Sequence, residues 1–120
     1  MAENIVNNKS YIFALRVIKV YKFLSEQQRE FVLSKQLLRS GTAIGALCRE
    51  AEHAQSKADF LNKMNVALKE ANETGYWLSL LKDSEYINLN LFDALYPDCS
   101  ELIKLLASIV KSTKSSLAKN

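Results

Sequence analysis

The sequence is short of residues that make tight turns and has no apolar run long enough for a membrane span. It contains three glycines and one proline among 120 residues. Together with the abundant Leu, Ala, Lys, Glu and Ser, this scarcity favours an all-α fold. No apolar run approaches the roughly 20 residues that cross a bilayer. Residues 1–8 lack the basic start and apolar centre of a signal peptide, so we expect a cytoplasmic protein with no membrane partner.

Residues that could carry chemistry are equally scarce. The one histidine, His53, lies in an E-x-x-H fragment that begins at Glu50. Di-iron sites of helical bundles need a second such fragment and two further glutamates, and triads need a partner set near the histidine. Cys48 and Cys99 are far apart, with no C-x-x-C pair, and are expected to be buried thiols. The sequence therefore predicts no enzyme, no metal and no cofactor.

A chain of this length fits a single domain, residues 1–120, and four helical segments divide it. The ends, 1–9 and 115–120, are expected to be frayed. Ser10 is predicted to cap a first helix that runs to about Leu24. Its predicted inward positions are Phe13 or Ala14, Val17, Tyr21 and Leu24.

The second and third helices are predicted over about 28–54 and 56–83, joined by a short turn. Ser56 and Asp59 form the N-terminal signal of the third helix. Apolar or small residues then recur at spacings of three and four, which places them on one helical face. On the second helix they are Leu33, Leu37, Ser40, Ile44, Leu47 and Ala51; on the third they are Phe60, Met64, Ala67, Ala71, Thr74, Leu78 and Leu81.

The two stripes should face each other in a hairpin. If its turn lies near Gln55, Arg39 lies beside Glu70 and Glu73, and we predict an ion pair with one of them. Small residues in the middle of the second helix, Gly41 and Gly45 among them, would let neighbouring backbones approach closely.

The last helix has two possible beginnings. Asn88 or Asn90 caps it and Pro97 lies inside its first turns, or residues 91–96 form a short separate piece and Pro97 starts the main helix. Tyr86 and Ile87, in the turn before it, are expected to cover one end of the fold. The predicted inward stripe is Leu95, Cys99, Leu102, Leu106, Ile109 and Thr113.

A second apolar stripe on the last helix comprises Ile103, Val110 and Leu117. One core would not need to bury that flank, so we expect it to contact another subunit. Tyr76 and Trp77 are likewise expected to serve the core or a subunit contact rather than to stack on bases.

The central segments of the chain resemble the bacterial four helix bundle protein family, which includes proteins encoded by intervening sequences in 23S ribosomal RNA genes. The resemblance covers nearly the whole chain. The positions that carry it, which we expect to be structural, are Arg39, Ser40, Gly41, Ile44, Glu50, Ser56, Asp59, Phe60, Lys69, Glu70, Glu73, Tyr76 and Trp77. Two positions depart from the family's pattern: Ala43 stands where Ser is expected, and Leu47 where Asn is expected.

This resemblance implies an antiparallel, up-and-down four-helix bundle with long helices, assembled into a ring-shaped homopentamer. A similar pentameric bundle serves diversity-generating retroelements as a basic accessory protein, which makes RNA or DNA a candidate partner by analogy.

The charge pattern is compatible with such a partner. Two segments without acids contain the basic residues Lys9, Arg16, Lys19 and Lys22, and Lys104, Lys111, Lys114 and Lys119. Merged on neighbouring first and last helices, they would bind a phosphate backbone non-specifically. Two alternatives stay open: a solvated face that only keeps the protein soluble, and a structural or adaptor assembly whose partner is another protein.

Overall fold

The computed structural model describes residues 2–119, which form four α-helices and no strand. They are α1 (Ala2–Glu26), α2 (Leu33–Ala51), α3 (Lys57–Asp83) and α4 (Leu89–Ala118). The molecule measures 52 × 21 × 21 Å. The all-α prediction and the number of helices are confirmed. No helix within residues 2–119 is long and apolar enough to cross a membrane.

The helices pack in a closed order, α1 against α2, α2 against α3, α3 against α4 and α4 against α1. Every helix buries one stripe in a shared core. Its largest fully buried side chains are Phe13, Leu24, Leu37, Ile44, Met64, Leu78, Leu81, Leu95, Leu102, Leu106, Val6 and Val17. Each such side chain stabilises the fold by about 1.5–3 kcal/mol relative to an exposed one.

Two ends of the molecule are defined by contacts between elements distant in sequence. At the first, which we call the Tyr86 end, Phe23 and Gln28 line a groove with Tyr86 and Leu89. Ile87 is buried there, and Tyr86 packs against the core, as predicted. At the second, the Lys57 end, Lys57 donates a hydrogen bond to Ser116.

The first helix begins at Ala2, so the prediction of a frayed segment is wrong for residues 2–9. Val6 is fully buried in the core, which holds these turns in place. Ser10 is not a cap: its side chain is fully buried and its hydroxyl donates to the carbonyl of Asn7. Val20, not Tyr21, is buried before Leu24. Met1 lies outside the described residues.

The second helix begins at Leu33, five residues later than the predicted Gln28, because Glu30 supplies a cap. The carboxylate of Glu30 accepts hydrogen bonds from the backbone amides of Val32, Leu33 and Ser34, at 3.2, 3.0 and 2.7 Å. Arg29 precedes it with a φ of 55°, which turns the chain. The helix ends at Ala51, three residues before the predicted end.

The carboxyl of Glu30 has a lowered pKa. Burial alone would raise that pKa, but the amides of Leu33, Ser34 and Val32 and the Ser34 hydroxyl stabilise the charged form and outweigh it. An anion at this position also interacts favourably with the dipole of α2. Glu30 is thus the main local reason why α2 starts where it does.

The third helix starts as predicted. The Ser56 side chain accepts from the amide of Asp59 at 3.0 Å, and the Asp59 carboxylate accepts from the amide of Gln55 at 3.2 Å. All predicted inward residues of α3 are buried except Phe60, which packs against the edge of the core.

The fourth helix follows the first of its two alternatives. Asn88 caps it by accepting from the amide of Leu91 at 2.9 Å, and Pro97 lies inside the helix. The helix continues to Ala118, so residues 115–118 are helical and not frayed. Asn120 lies outside the described residues.

Helices α1 and α2 approach closely at two glycines. A Cβ on Gly41 would lie 2.9 Å from both methyl carbons of Val17, and one on Gly45 would lie 3.3 Å from the Ser10 hydroxyl. No side chain fits at Gly41 without a shift of Val17, which explains a glycine in a helix interior, where it costs about 1 kcal/mol relative to Ala.

Candidate interaction surfaces

The predicted ion pair of Arg39 is present in the α2–α3 contact. One guanidinium nitrogen lies 3.4 Å from a carboxylate oxygen of Glu70, and the other bonds to Glu73. Glu73 also accepts from the indole nitrogen of Trp77 at 3.0 Å. Because the Arg39 side chain is half exposed, this network sets the alignment of the two helices more than it adds stability.

The other resemblance positions differ in their surroundings. Ser40, Gly41 and Ile44 are buried, Glu50 lies 3.3 Å from Lys63, and Lys69 is exposed. The two departures, Ala43 and Leu47, are partly exposed, and Leu47 packs against the core.

The neighbours Tyr76 and Trp77 have different surroundings. Trp77 packs against the core, whereas Tyr76 is 58% exposed. Their rings meet edge to face, with centroids 5.1 Å apart. Of the two predicted roles, core or subunit contact, Trp77 has the first, whereas Tyr76 is a surface residue of the protomer and a subunit contact there stays a prediction.

Two of the basic residues predicted to form one face are engaged by acids of α4. Lys9 lies 3.1 Å from Glu101. Arg16 pairs with Asp98 and also donates to the carbonyl of Ala94 at 3.0 Å. These contacts connect α1 to α4 and reduce the positive charge that either residue offers to a ligand.

The remaining basic residues are separated. Lys19 lines the groove at the Tyr86 end, and Lys22 follows one turn later. Lys111 and Lys114 flank residues of α4 that lie at the Lys57 end, and Lys104 is exposed between the two ends. Neither these five lysines nor the exposed Lys119 form an ion pair with an acid among the side chains of residues 4–119. The structure thus does not merge them into one continuous patch.

The apolar flank predicted on α4 is largely covered within the protomer. Val110 is 6% exposed and belongs to the core, and Ile103 packs against it. Leu117 is half-buried. The reason is that α4 packs against both α1 and α3, so it buries a wider stripe than one inward row.

An exposed apolar surface occurs instead on α1. Tyr11, Ile12 and Leu15 are 58%, 56% and 48% exposed. With Ile18 they line a groove of about 950 Å³, whose other wall is formed by Thr42, Gly45 and Ala46 of α2. We call the α1 residues Tyr11, Ile12, Leu15 and Ile18 the ridge, and the α2 residues Thr42, Gly45 and Ala46 the trough. A sequence pattern indicates this exposed surface. Residues 11–18 are all apolar except Arg16, and a single inward-facing stripe would need fewer apolar residues.

The thiols and the histidine are not gathered into a site. Cys48 and Cys99 are buried, and burial raises their pKa values to about 11 and about 12. For Cys48, the neighbouring Ser10 hydroxyl opposes this rise in pKa and the charge of Glu52 adds to it. His53 is exposed after the end of α2. Among the described residues, no three His, Cys, Asp or Glu side chains are placed to hold a metal ion.

Comparison with known proteins identifies the family. Residues 2–108 match the family model described as 23S rRNA-intervening sequence protein. No curated protein matches the chain. The crystal structure of a protein of unknown function from the S23 ribosomal protein family of Bacteroides thetaiotaomicron is similar, with a TM-score of 0.90. The two sequences are 58% identical over 92% of this chain and 99% of that one. Neither comparison indicates an enzymatic family, and the chain belongs to the 23S rRNA-intervening sequence protein family.

Proposed function

We propose that the protein is a non-enzymatic interaction protein that assembles with copies of itself and binds nucleic acid non-specifically. The observation that carries the first part is the ridge on α1. Three large apolar side chains, each about half exposed, lie together on one helix. A contiguous apolar surface of this kind is typical of a protein–protein contact.

A second copy of the chain is the occupant that fits this surface. The ridge consists of large side chains, and the trough beside it consists of small ones. Ridges on one helix pack into grooves on another, so the ridge of one copy complements the trough of the next. Because the ridge and the trough lie on different helices, the ridge of one copy can contact the trough of the next head to tail, and a head-to-tail contact can be repeated around a closed ring. We infer a homopentamer, which is the assembly that the family resemblance implies.

Within each protomer we infer an antiparallel, up-and-down bundle. Contacts between α1 and α4 support it: Lys9 pairs with Glu101, whereas Arg16, further along α1, pairs with the earlier residue Asp98. Short connections favour the same arrangement, since neighbours joined by a few residues run in opposite directions.

The assembly is tested by placing a charge on the ridge. Leu15→Glu should dissociate the protein into monomers, because an ionised carboxylate cannot be buried in an apolar contact. Light scattering coupled to gel filtration should give about five times 13.6 kDa for the wild type and 13.6 kDa for the variant.

A matched control is available at the Tyr86 end. Leu89 is 62% exposed and begins α4, where an acid is compatible with the helix dipole. Leu89→Glu should leave the assembly unchanged. A monomeric wild type, or a Leu15→Glu variant that still associates, would contradict the proposed contact.

Binding of nucleic acid is supported by the unpaired lysines, Lys19, Lys22, Lys104, Lys111 and Lys114. A repeating assembly would present several copies of each to a phosphate backbone, with affinity that falls steeply as salt rises. Fluorescence anisotropy with structured RNA, at about 50–200 mM salt, is the direct measurement. Binding that does not depend on salt, or no binding at the lowest salt, would reject this part.

A protein partner is the alternative function, and exposed apolar side chains at the Tyr86 end favour it. Phe31, Val32 and Leu89 are 45%, 71% and 62% exposed. An intact assembly that fails to bind RNA would favour a structural or adaptor role in which this end contacts another protein.

A further inference from the structure

We propose that the cleft between the beginning of α3 and the end of α4 holds one nucleotide of a single-stranded nucleic acid. Its phosphate would contact Lys57 and hydroxyls of α4, and its base would lie against Phe60. This inference rests on the nucleic-acid part of the proposed function and assigns it a site that differs from the predicted face of α1 and α4.

The cleft is small and contains an oriented cation. Its volume is about 420 Å³, and Lys57, Phe60, Ser112, Thr113 and Ser116 line it. The ammonium of Lys57 donates to the Ser116 hydroxyl oxygen at 2.7 Å, which holds the side chain across the cleft. An ammonium has three donors, so two remain for a ligand, and Ser116 keeps its own proton to donate.

The surrounding charge favours an anion. From Leu102 onward α4 contains no acid, so the wall of the cleft formed by α4 supplies hydroxyl groups and no negative charge. Of the acids in neighbouring segments, Glu50 is offset by an ion pair with Lys63. The Asp59 carboxylate is held by the backbone amide of Gln55.

A nucleotide suits these groups better than an acidic peptide does. Phosphate oxygens accept several hydrogen bonds at once, which matches an ammonium and a hydroxyl that point into one cleft. The ring of Phe60 offers a surface for a base, and base–aromatic stacking tolerates any sequence. The volume is at the lower end of the range for small-ligand clefts, as expected for one nucleotide.

The larger groove at the Tyr86 end is less suitable for phosphate. Its lysines, Lys19 and Lys82, are accompanied by Glu85, and Lys82 lies 3.6 Å from Asp83. Lys82 also lies over the ring of Phe92, 4.3 Å from its centroid. The charge around that groove is therefore mixed, which makes it a weaker candidate for a phosphate subsite.

Charge reversal at the first turns of two helices tests the location. The variant Lys57→Glu and its control Lys35→Glu, at an exposed lysine in the first turn of α2, change the net charge of the chain equally. Binding is measured by anisotropy with a single strand of about 12 nucleotides, within the range of site sizes of single-strand-binding folds. We expect the Lys57→Glu variant to raise Kd about tenfold or more and to reduce the salt slope by about 0.7, the value for one lost phosphate contact on a single strand. The control should change Kd less than about twofold.

A variant of the aromatic wall tests the base contact. Phe60→Leu keeps an apolar side chain at the edge of the core, and circular dichroism checks that it folds. We expect about fivefold weaker binding of the single strand and unchanged binding of a duplex of the same sequence, whose bases are not free to stack on a side chain. Equal weakening of both, or of neither, would overturn the placement of the base.

The outcomes separate the site from the function. Equal losses in the two charge-reversal variants would overturn the location while leaving non-specific binding in place. Displacement of the single strand by a poly-glutamate peptide but not by a second nucleic acid would overturn the nucleotide as ligand. No binding by the wild type at low salt would reject the proposed function and this inference with it.

Discussion

The hydroxyl oxygens of Thr74 and Ser40 lie 3.0 Å apart in the buried contact between α3 and α2. Both hydroxyls also reach carbonyls of their own helices: Thr74 lies 2.7 Å from the carbonyl oxygen of Glu70, and Ser40 lies 3.0 Å from that of Gln36. Each of the two hydroxyls that form the inter-helix contact can therefore donate instead to a carbonyl of its own helix.

This arrangement predicts a mild response to Thr74→Val. The substitution keeps the shape of the side chain, and Ser40 still donates to Gln36, so no buried polar atom is left without a partner. Urea unfolding at fixed protein concentration should show a loss of less than about 1 kcal/mol. A loss above about 2 kcal/mol would mean that the hydroxyl pair contributes more than its geometry indicates.

Replacement of Glu30 should destabilise α2 at its first turn. Glu30→Gln removes the charge that three amides stabilise, at a cost of about 1–2 kcal/mol at neutral pH. The measurement is again urea unfolding. The exposed Glu85, changed to Gln, is the control and should cost much less.

The same carboxylate predicts a pH dependence. Because folding lowers the pKa of Glu30 below its ordinary value of 4.5, its contribution is complete above that pH and is lost as pH falls through the folded-state pKa. Wild-type stability should therefore decline below about pH 4.5 more steeply than that of Glu30→Gln. Parallel declines in the two proteins would contradict a stabilised carboxylate.

Two glycines should respond to alanine with opposite signs. Gly41→Ala brings a Cβ within 2.9 Å of Val17, and the cost of overpacking, about 1–3 kcal/mol, exceeds the gain in helix propensity. At Gly75 the nearest atom would be Cε1 of Tyr96 at 3.6 Å, an ordinary contact, so Gly75→Ala should stabilise the protein by about 0.5–1 kcal/mol. Thermal unfolding of both variants distinguishes the sites; equal shifts would contradict the close approach of α1 and α2 at Gly41.

The thiols of Cys48 and Cys99 should resist labelling in the native state. Burial raises the pKa of Cys48 to about 11, against 9.0 for the unperturbed group. The reactive thiolate is then about 100-fold scarcer at pH 8, before steric protection is counted. Reaction with a disulfide reagent should follow unfolding; rapid labelling without denaturant would show that the core opens at these positions.

The helical pattern could be predicted wherever it repeats over several turns. Spacings of three and four on α2 and α3 identified the buried stripes, and Ser56 marked the start of α3 because its cap is local in sequence. Arg39 was found from the symmetry of the hairpin alone.

The sequence-based predictions were wrong where contacts between distant segments determine the structure. Residues 2–9 are polar, but Val6 reaches the core and orders the segment. Glu30 caps α2 because the backbone turns at Arg29, and no local sequence pattern predicts that turn. Ion pairs on the surface were harder to predict than the core. Lys9 and Arg16 have no acid nearby in the sequence of α1. Their partners, Glu101 and Asp98, come from α4, and only the structure shows where α4 lies. For the same reason the sequence predicts a subunit contact at Val110, which the structure buries in the core, since its burial depends on where neighbouring helices lie.

Pro97 leaves the carbonyl of Asp93 without the donor that any other residue would supply four positions later. Next to this gap, Arg16 bonds to Ala94 and Asp98, which follow Asp93 and Pro97 by one residue each. Arg16 of α1 thus stabilises α4 at the turn where α4 lacks a backbone hydrogen bond. Loss of α1 would leave a hinge at Pro97, and amide hydrogens around it would exchange with solvent sooner than those near Leu106.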